Sequence, residues 1–332
     1  MPELRKDTIN GRWVIIAVEE GRHPADFDVE PHVSKGGMCP FCYGNEDKTP
    51  PEIYAHRVGG TKPNTSGWST RVVPNKFPAL RIEGDLNRMG VGLYDTMNGI
   101  GAHEVIIETP DHDKSLADLL DNEVEKVIWA YRDRSIDLRG DKRFKYILLF
   151  KNYGESAGAS LEHPHSQLIA LPAVPIIVNE ELKGAEYYFE YRERCVFCDM
   201  ISQEIQETER VVAENKGFIS FTPFASRFPF ETWIIPREHC ADFSHINKDQ
   251  VIDLARILKE VLLRIKNTLR DTSYNFIIHT STVEDRERDD YHWHIEIMPI
   301  LFHVAGFEWG SGFYINPTTP EDAAECLRKA KI

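Results

Sequence analysis

Short apolar runs separated by turn residues alternate along this chain with two longer segments whose apolar positions recur at helical spacing. The run 146–150 leads through a glycine-bearing turn into the apolar segment 168–171, a pattern typical of strand, turn and strand. One helix is predicted to start at Asn122, which would form a capping box with Glu125, and a second one at Asn247. The apolar side of the second helix consists of Val251, Leu254, Leu258, Val261, Leu262, Ile265 and Leu269. This mixture predicts a protein that contains both sheet and helix.

The same order of motifs occurs twice, and this repetition is the most informative feature of the chain. Each half has a Cys-x-x-Cys pair, then a strand that ends at a histidine, then a helix, a strand and a His-x-His segment. The strand-end histidine is followed by the His-x-His segment after 51 positions in the first half (His163 − His112) and 53 in the second (His292 − His239). We therefore predict two tandem domains of similar fold. Their predicted bounds are 1–190 for the N-terminal catalytic domain and 191–332 for the C-terminal supporting domain.

The first His-x-His segment combines polar side chains with a proline. On a strand, His163, His165 and Gln167 would share one face. Pro164 between the histidines withholds a backbone N–H, which favours an edge strand. A neutral imidazole can attack electrophilic phosphorus, an amide can donate to a phosphoryl oxygen, and the turn 158–160 offers further donors to a phosphate. The segment predicts nucleophilic catalysis by His165 with Gln167 as the donor, and a histidine pair without chemistry is the alternative.

Each half of the repeat supplies one set of potential metal ligands: its cysteine pair, its strand-end histidine and the first histidine of its His-x-His segment. The first set is Cys39, Cys42, His112 and His163, and the second is Cys195, Cys198, His239 and His292. Two thiolates with two imidazoles match a closed tetrahedral zinc (Zn2+) site, so we expect two structural zinc ions per chain that fix the backbone beside the nucleophile.

Other interpretations of these cysteines and histidines stay open. The cysteines could pack as small buried residues or work in redox exchange. His103 competes with His112 for the first set. We prefer His112 because His239 aligns with it in the second half, where Glu231 takes the place of His103.

The two halves differ where chemistry would occur. The second His-x-His segment has the bulky Trp293 between its histidines and Glu296 in the place of Gln167. A carboxylate would repel a phosphate. The sequence therefore predicts one active half and one supporting half.

Composition and charge narrow the class of protein. The 332 residues, 42% of them hydrophobic, leave room for two domains. The net charge of −14 argues against nucleic acid or an anionic membrane as the main partner. The N-terminus has no apolar signal core, and no apolar run is long enough to cross a membrane. We therefore expect a cytoplasmic protein whose paired cysteines bind metal rather than form disulfides.

The motifs together resemble the galactose-1-phosphate uridylyltransferase family, which belongs to the histidine-triad superfamily. The resemblance rests on the segments 39–42, 75–77, 110–112 and 158–167 and on Asn152, and it extends over nearly the whole chain. It implies an α+β fold of two tandem histidine-triad-like repeats, each an antiparallel half-barrel sheet with a helix packed on it, and that the protein is a homodimer. In this family the second histidine of the motif attacks the α-phosphorus of UDP-glucose. The uridylyl group then passes to galactose 1-phosphate in a ping-pong cycle.

The resemblance also implies roles for residues of this chain. His165 matches the nucleophile, and Gln167 matches the donor to the phosphoryl oxygen that separates the transferases from triad hydrolases. The positions that match nucleotide- and phosphate-contacting residues of the family are Asn75, Phe77, Asn152, Gly158 and Ser160. The implied ligands are a nucleotide sugar and a sugar 1-phosphate.

Departures from the family pattern concern the substrate and the second metal. Only Arg22 stands where family members often carry two arginines that reach the site of the other subunit. The segment 306–316 replaces the hexose-reading segment of galactose-specific members and resembles the branch of ADP-glucose phosphorylases, which transfer adenylyl groups. Some members hold iron in the second half through glutamate and histidines, whereas Cys195 and Cys198 favour zinc.

We therefore expect a UDP-glucose–hexose-1-phosphate uridylyltransferase that works through a uridylyl-histidine at His165. An ADP-sugar phosphorylase or adenylyltransferase with the same covalent mechanism is the first alternative. A triad-type nucleotide hydrolase and a non-catalytic nucleotide-binding or zinc-scaffold protein are the others.

Overall fold

The computed structural model describes residues 1–17, 21–29 and 36–332 of the chain. The strands in this part are β1 (Glu3–Lys6), β2 (Trp13–Ile16), β3 (Tyr54–Arg57), β4 (Trp68–Pro74), β5 (Met89–Val91), β6 (Tyr94–Thr96), β7 (Ala102–Ile107), β8 (Tyr146–Tyr153), β9 (His165–Leu171), β10 (Val211–Glu214), β11 (Phe218–Phe221), β12 (Thr232–Pro236), β13 (Tyr274–His279), β14 (His294–Pro299) and β15 (Tyr314–Asn316). The helices are α1 (Asp121–Leu138), α2 (Ile176–Arg192), α3 (Val196–Glu207), α4 (Lys248–Thr268), α5 (Gly306–Ser311) and α6 (Pro320–Lys329). Among these helices there is none with the length and apolar character needed to span a bilayer.

Ten of the strands form one antiparallel sheet, in the order β10-β11-β12-β14-β13-β8-β9-β7-β4-β3. The first five in this order belong to the second half of the chain and the last five to the first half, so each repeat supplies an antiparallel half-sheet, which confirms the predicted α+β fold. The halves join where β13 pairs with β8, with Asn275 opposite Asn152 and Ile277 opposite Phe150. The sequence pattern does not reveal this junction. The junction places the strands that follow both His-x-His segments, β9 and β14, in one continuous sheet.

The register at the junction relates the two halves to each other. Gln167 on β9 is opposite Phe150 on β8, and Glu296 on β14 is opposite Ile277 on β13. Because Phe150 and Ile277 are also opposite each other, a local two-fold axis passes between them. Gln167 and Glu296 are therefore corresponding residues of the two repeats.

The two faces of the sheet are covered differently in the two halves. Helices α1 and α4 pack against each other and bury one face in the main core, which includes Leu254. On the second half, α2 and α3 cover the opposite face, where Trp233 packs in the same cluster as Phe197. On the first half that opposite face carries the loop 39–42 instead, and Gln167 stays partly exposed. Gln167 is therefore partly exposed on this side, whereas its counterpart Glu296 is buried.

Strand β9 lies in the interior of the sheet, between β8 and β7, so the predicted edge strand is wrong. The strand begins at His165, and Pro164 precedes its first residue. The proline therefore removes no N–H from the sheet, and its carbonyl accepts a hydrogen bond from Glu108 N (3.2 Å). The prediction fails because it treats 163–167 as one continuous strand.

The predicted start of α4 is confirmed. The side chain of Asn247 accepts from Gln250 N, and the side chain of Gln250 accepts from Asn247 N, both at 3.0 Å. This reciprocal pair is the predicted capping box.

The predicted start of α1 is wrong by two residues. The side chain that reaches back to the helix start is that of Glu123, whose Oε2 accepts from Leu120 N at 2.8 Å. Leu120 is therefore the N-cap, although its side chain cannot accept a hydrogen bond. The prediction placed the start at Asn122, with Glu125, because asparagine is a much more common N-cap residue than leucine.

Candidate active site

His165 is held at the start of β9 in one tautomer. Its Nδ1 lies 2.8 Å from the carbonyl oxygen of His163, and since a carbonyl only accepts, Nδ1 carries the proton. Burial lowers the pKa of the His165 imidazole, so the ring is neutral at neutral pH. The ring of Phe41 meets it edge-on, with centroids 5.5 Å apart. Nε2 is therefore the unprotonated nitrogen, with the lone pair that attack on phosphorus requires.

A buried ion pair beneath the strand holds the backbone of His165. Lys151 Nζ donates to the carbonyl oxygen of His165 (3.1 Å) and to Glu108 Oε2 (2.7 Å). Glu108 also accepts from the hydroxyl of Ser166, which lies 2.5 Å from the hydroxyl of Tyr131. Ser166 and His165 are neighbours on a strand, so this network lies on the sheet face opposite to the imidazole. It can fix the position of His165 from the side of the sheet that the imidazole does not face.

The amide of Gln167 is oriented by hydrogen bonds that start at a backbone group. Ala79 N donates to His103 Nδ1 (3.2 Å), and since a backbone N–H only donates, the imidazole proton is on Nε2. His103 Nε2 then donates to Gln167 Oε1 (2.9 Å). The amide nitrogen of Gln167 is thus left as a donor on the same sheet face as His165. A phosphoryl group above these two side chains would meet a nucleophile and a hydrogen-bond donor.

Asn75 lies beside this arrangement, in the loop that follows β4. Its Oδ1 accepts from Phe77 N (2.9 Å), which turns its Nδ2 toward His103. That nitrogen lies 3.1 Å from Nε2, but both nitrogens carry hydrogens, so the contact is not a hydrogen bond and Nε2 donates to Gln167. Phe77 is 83% exposed. The structure thus brings Asn75 near Gln167 and leaves the ring of Phe77 at the surface, where it can contact a ligand.

The turn after β8 carries the remaining predicted ligand contacts. Gly154 and Gly158 have φ of +83° and +87°, a left-handed conformation that glycine adopts without strain. Asn152 lies near the end of β8, on the same sheet face as Gln167. Its Nδ2 faces Gly158, since a Cβ added to that glycine would be 3.7 Å away. Ser160 is exposed just after the turn.

The first predicted ligand set converges next to His165. The ligand atoms of Cys39, Cys42, His112 and His163 all lie within 4.8 Å of one another. Cys42 Sγ is 3.4 Å from Nδ1 of His112 and 3.5 Å from Nδ1 of His163. His163 Nε2 donates to the carbonyl of Thr109 (2.8 Å), so its Nδ1 is unprotonated and can bind a metal. Burial and the adjacent Cys39 raise the pKa of the Cys42 thiol to about 11, an effect that a divalent cation between them would reverse.

The second predicted set repeats this arrangement. The ligand atoms of Cys195, Cys198, His239 and His292 also lie within 4.8 Å of one another. Cys198 Sγ is 3.4 Å from Nδ1 of His239 and 3.7 Å from Nδ1 of His292. His239 Nε2 donates to the carbonyl of Arg288 (2.9 Å), which again leaves Nδ1 unprotonated. Both clusters could hold a metal ion, and their donors fit tetrahedral coordination.

A third group of potential ligands was not predicted. It consists of Glu181, His279 and His294, which are buried and have ligand atoms within 4.8 Å of one another. His279 Nδ1 is 2.8 Å from Glu181, and its Nε2 is 3.4 Å from Glu296. Although burial opposes it, these two carboxylates raise the pKa of His279 to about 10. The positive imidazolium of His279 therefore lies between two negative carboxylates.

The second half replaces the polar residues of the first-half site one by one. The corresponding pairs, from the strand register, are His165 and His294, Gln167 and Glu296, His103 and Glu231, and Asn152 and His279. Where His103 donates directly to Gln167, Arg227 donates to both Glu231 (3.1 Å) and Glu296 (2.5 Å). In the place of the Gln167 amide the second half has the carboxylate of Glu296, which cannot donate to a phosphate and repels it, so the first half is the candidate for the chemistry.

Sequence reasoning missed several residues of the site. It suggests His103 only as a metal ligand, although the period-two alternation of β7 could have placed this histidine on the face of Gln167. Asn275 and Glu181 gave no comparable signal, because one lies on the strand that joins the halves and the other on α2, a helix that was not predicted.

Comparisons with known proteins identify the family of the chain. The chain matches the family models for the N-terminal domain of galactose-1-phosphate uridyl transferase at residues 53–175 and for its C-terminal domain at residues 181–329. It is 38% identical to ADP-glucose phosphorylase of Arabidopsis thaliana, over all of this chain and 93% of that protein. It is 28% identical to galactose-1-phosphate uridylyltransferase of Thermotoga maritima, over all of this chain and 99% of that protein.

Solved structures show the same likeness. The crystal structure of an ADP-glucose phosphorylase from Arabidopsis thaliana with bound ADP-glucose superposes with a TM-score of 0.85 at 38% identity, covering 100% of this chain and 99% of that chain. A uridylyltransferase structure superposes with a TM-score of 0.76 at 28% identity, covering 99% of this chain and 97% of that chain.

Proposed function

Because the chain belongs to the galactose-1-phosphate uridylyltransferase family, and so to the nucleotidyltransferases, we propose that it transfers a nucleotidyl group through a covalent intermediate on His165. The donor is a nucleotide sugar. The observation that carries this proposal is the geometry at His165, whose Nδ1 donates to the carbonyl of His163 at 2.8 Å and leaves Nε2 free on the sheet face that also carries the amide of Gln167.

The reaction proceeds in two displacements at one phosphorus atom. Nε2 of His165 attacks the α-phosphorus of the donor, the bond from that phosphorus to the bridging oxygen breaks, and the sugar 1-phosphate leaves with the bonding electrons. In the second step a phosphate oxygen of the acceptor attacks the same phosphorus, and the phosphorus–nitrogen bond breaks to restore the imidazole. The carbonyl of His163 stabilises the positive charge that the ring carries while it is bonded to phosphorus.

The other site residues bind and orient the donor. The amide nitrogen of Gln167 donates to a phosphoryl oxygen whose negative charge grows as the bonds change. Asn152, Gly158 and Ser160 offer donors to the phosphates. Asn75 and Phe77, in the loop after β4, contact the nucleoside.

Two donors are supported by different observations. The motif resemblance favours UDP-glucose, with a hexose 1-phosphate such as galactose 1-phosphate as the acceptor. The 38% identity to an ADP-glucose phosphorylase favours ADP-glucose as the second candidate. Both donors would react by the same covalent step at His165.

The two Cys2His2 clusters each hold one structural zinc ion in this proposal. Four protein ligands leave no coordination position for a substrate. Because His163 supplies both a ligand nitrogen and the carbonyl that fixes His165, a metal in the first cluster would hold the nucleophile in place. The homodimer and the cytoplasmic location expected from the sequence stay predictions.

The proposal is tested by intact-mass analysis after incubation with UDP-glucose and with ADP-glucose in parallel. We expect a mass increase of one nucleotidyl group from at least one donor, and its loss when a sugar 1-phosphate or inorganic phosphate is added. Release of free nucleotide without a trapped adduct would support the triad-type hydrolase instead. If neither an adduct nor released nucleotide is found, the catalytic proposal is overturned.

A further inference from the structure

One side chain of the second half reaches across the junction between the half-sheets. Asn275 on β13 lies opposite Asn152 on β8. Its Nδ2 donates to Asn152 Oδ1 and to the carbonyl oxygen of Ala157, both at 2.9 Å. These contacts bring a residue of the supporting half to the phosphate-binding turn of the catalytic half.

The carbonyl of Ala157 determines the direction of both hydrogen bonds. A carbonyl oxygen only accepts, so Asn275 must present its amide nitrogen rather than its oxygen to this site. The second hydrogen of that nitrogen points at Asn152, whose Oδ1 accepts it. Nδ2 of Asn152 is thereby turned outward, toward Gly158. A backbone atom thus sets the orientation of two successive amides.

We propose that Asn275 is a positioning residue, which keeps the amide nitrogen of Asn152 directed at the phosphates of the nucleotide sugar. The inference rests on the proposed function, since it concerns the same site. An amide without this restraint can turn by half a rotation and present its oxygen to an anion, which repels instead of donating. Asn275 also holds Ala157, the residue immediately before Gly158 in the turn. The supporting half therefore contributes to ligand binding without touching the substrate.

The first test compares two substitutions at this position. In Asn275→Ala the amide of Asn152 is unrestrained, and we expect the second-order rate constant for adduct formation to fall about tenfold, as for loss of one hydrogen bond. Most of that loss should be a raised KM, because the contact to the phosphates exists before the reaction. Asn275→Asp should be slower than Asn275→Ala, since its carboxylate faces the carbonyl of Ala157 and draws Nδ2 of Asn152 inward. Equal rates for wild type and both variants would overturn the inference.

The second test is a double-mutant cycle with Asn152→Ala. If Asn275 acts through Asn152, Asn275→Ala should cause little further loss of rate in the Asn152→Ala background. Full additivity of the two effects would show that Asn275 acts by another route and would overturn the proposal. The matched control is Asn215→Ala, which also removes amide hydrogen bonds, to Asp253 O and Phe218 N, but in the turn between β10 and β11. It should lower thermal stability and leave KM unchanged.

The outcomes separate this inference from the proposed function. A wild-type protein that forms no adduct with UDP-glucose or ADP-glucose refutes the proposed function itself. A wild-type protein that forms the adduct, with an Asn275→Ala variant of equal KM, refutes only the role of Asn275. If Asn215→Ala raises KM as much as Asn275→Ala does, the increase in KM would follow from lost stability, and the positioning role of Asn275 would be refuted.

Discussion

Replacing Gln167 with glutamate tests whether its amide nitrogen, and not its size, acts on the phosphoryl group. The substitution keeps the shape of the side chain and keeps an oxygen for His103 Nε2, which donates to Gln167 at 2.9 Å in the native protein. The outward amide nitrogen becomes a second oxygen that carries negative charge. Gln167→Ala removes the donor without adding charge and serves as the matched comparison.

The expected magnitudes follow from the hydrogen bond and the charge. Loss of one donor to a developing oxyanion costs about 3 kcal/mol, so Gln167→Ala should form the adduct about 10²-fold more slowly. A carboxylate roughly 4 Å from the phosphoryl charge adds a repulsion of up to about 4 kcal/mol at an effective dielectric constant near 20. Because residue 167 is partly exposed, solvent screens this repulsion. We therefore expect Gln167→Glu to be slower than Gln167→Ala by at least about tenfold on the same arithmetic.

The measurement is the single-turnover rate of adduct formation, by rapid quench and intact mass, with zinc content and melting temperature as controls. Both variants should keep the native metal content, because Gln167 contacts neither cluster. A Gln167→Glu variant as fast as Gln167→Ala would refute the assigned orientation of the amide. A Gln167→Ala variant as fast as the native protein would remove the donor role altogether.

Five further substitutions test the nucleophile, the metals and the buried ion pair. His165→Asn should form no adduct by intact mass while zinc content and melting temperature stay native, and a normal adduct would exclude it as the nucleophile. His163→Asn should lose about one zinc ion per chain by elemental analysis and only part of the activity, since one of four ligands is removed; full zinc with no adduct would reverse the two histidine roles. Cys195→Ser should lower the melting temperature more than the rate per folded molecule, because the second cluster supports the half without chemistry, and a selective loss of rate would contradict this. Lys151→Met should lower the free energy of unfolding in urea by about 3–5 kcal/mol, since it leaves the carboxylate of Glu108 buried without a partner. Adding Glu108→Gln should restore part of that loss, and no recovery would argue against the ion pair as the cause.

The parts of the structure that the sequence predicts are those set by local or repeated signals. The capping box of Asn247 and Gln250 involves residues three apart, so the helix start is encoded in a short segment. The two cysteine–histidine clusters are predictable because the same ligand pattern occurs twice at similar spacing, and the structure brings each set within 4.8 Å.

The missed features depend on contacts between distant segments. Asn275 and Asn152 are 123 positions apart and meet only because β13 pairs with β8. Arg227 bridges Glu231 and Glu296 from a loop that has no motif of its own. Strand β9 can lie in the interior of the sheet because it begins at His165, after Pro164. The prediction started the strand two residues earlier, at His163, and hydrophobic alternation does not resolve that difference.

The junction between β8 and β13 suggests how a chain of this kind can arise. A half-sheet alone would expose a long strand edge with unpaired backbone groups, and such an edge attracts a second copy of itself. Two identical copies joined about the axis between Phe150 and Ile277 would form a closed symmetric pair, in which every residue appears twice. Fusion into one chain removes the requirement that both copies be equal. In a single chain Gln167 and its counterpart Glu296 can differ, and Asn275 of one half can support a site in the other half.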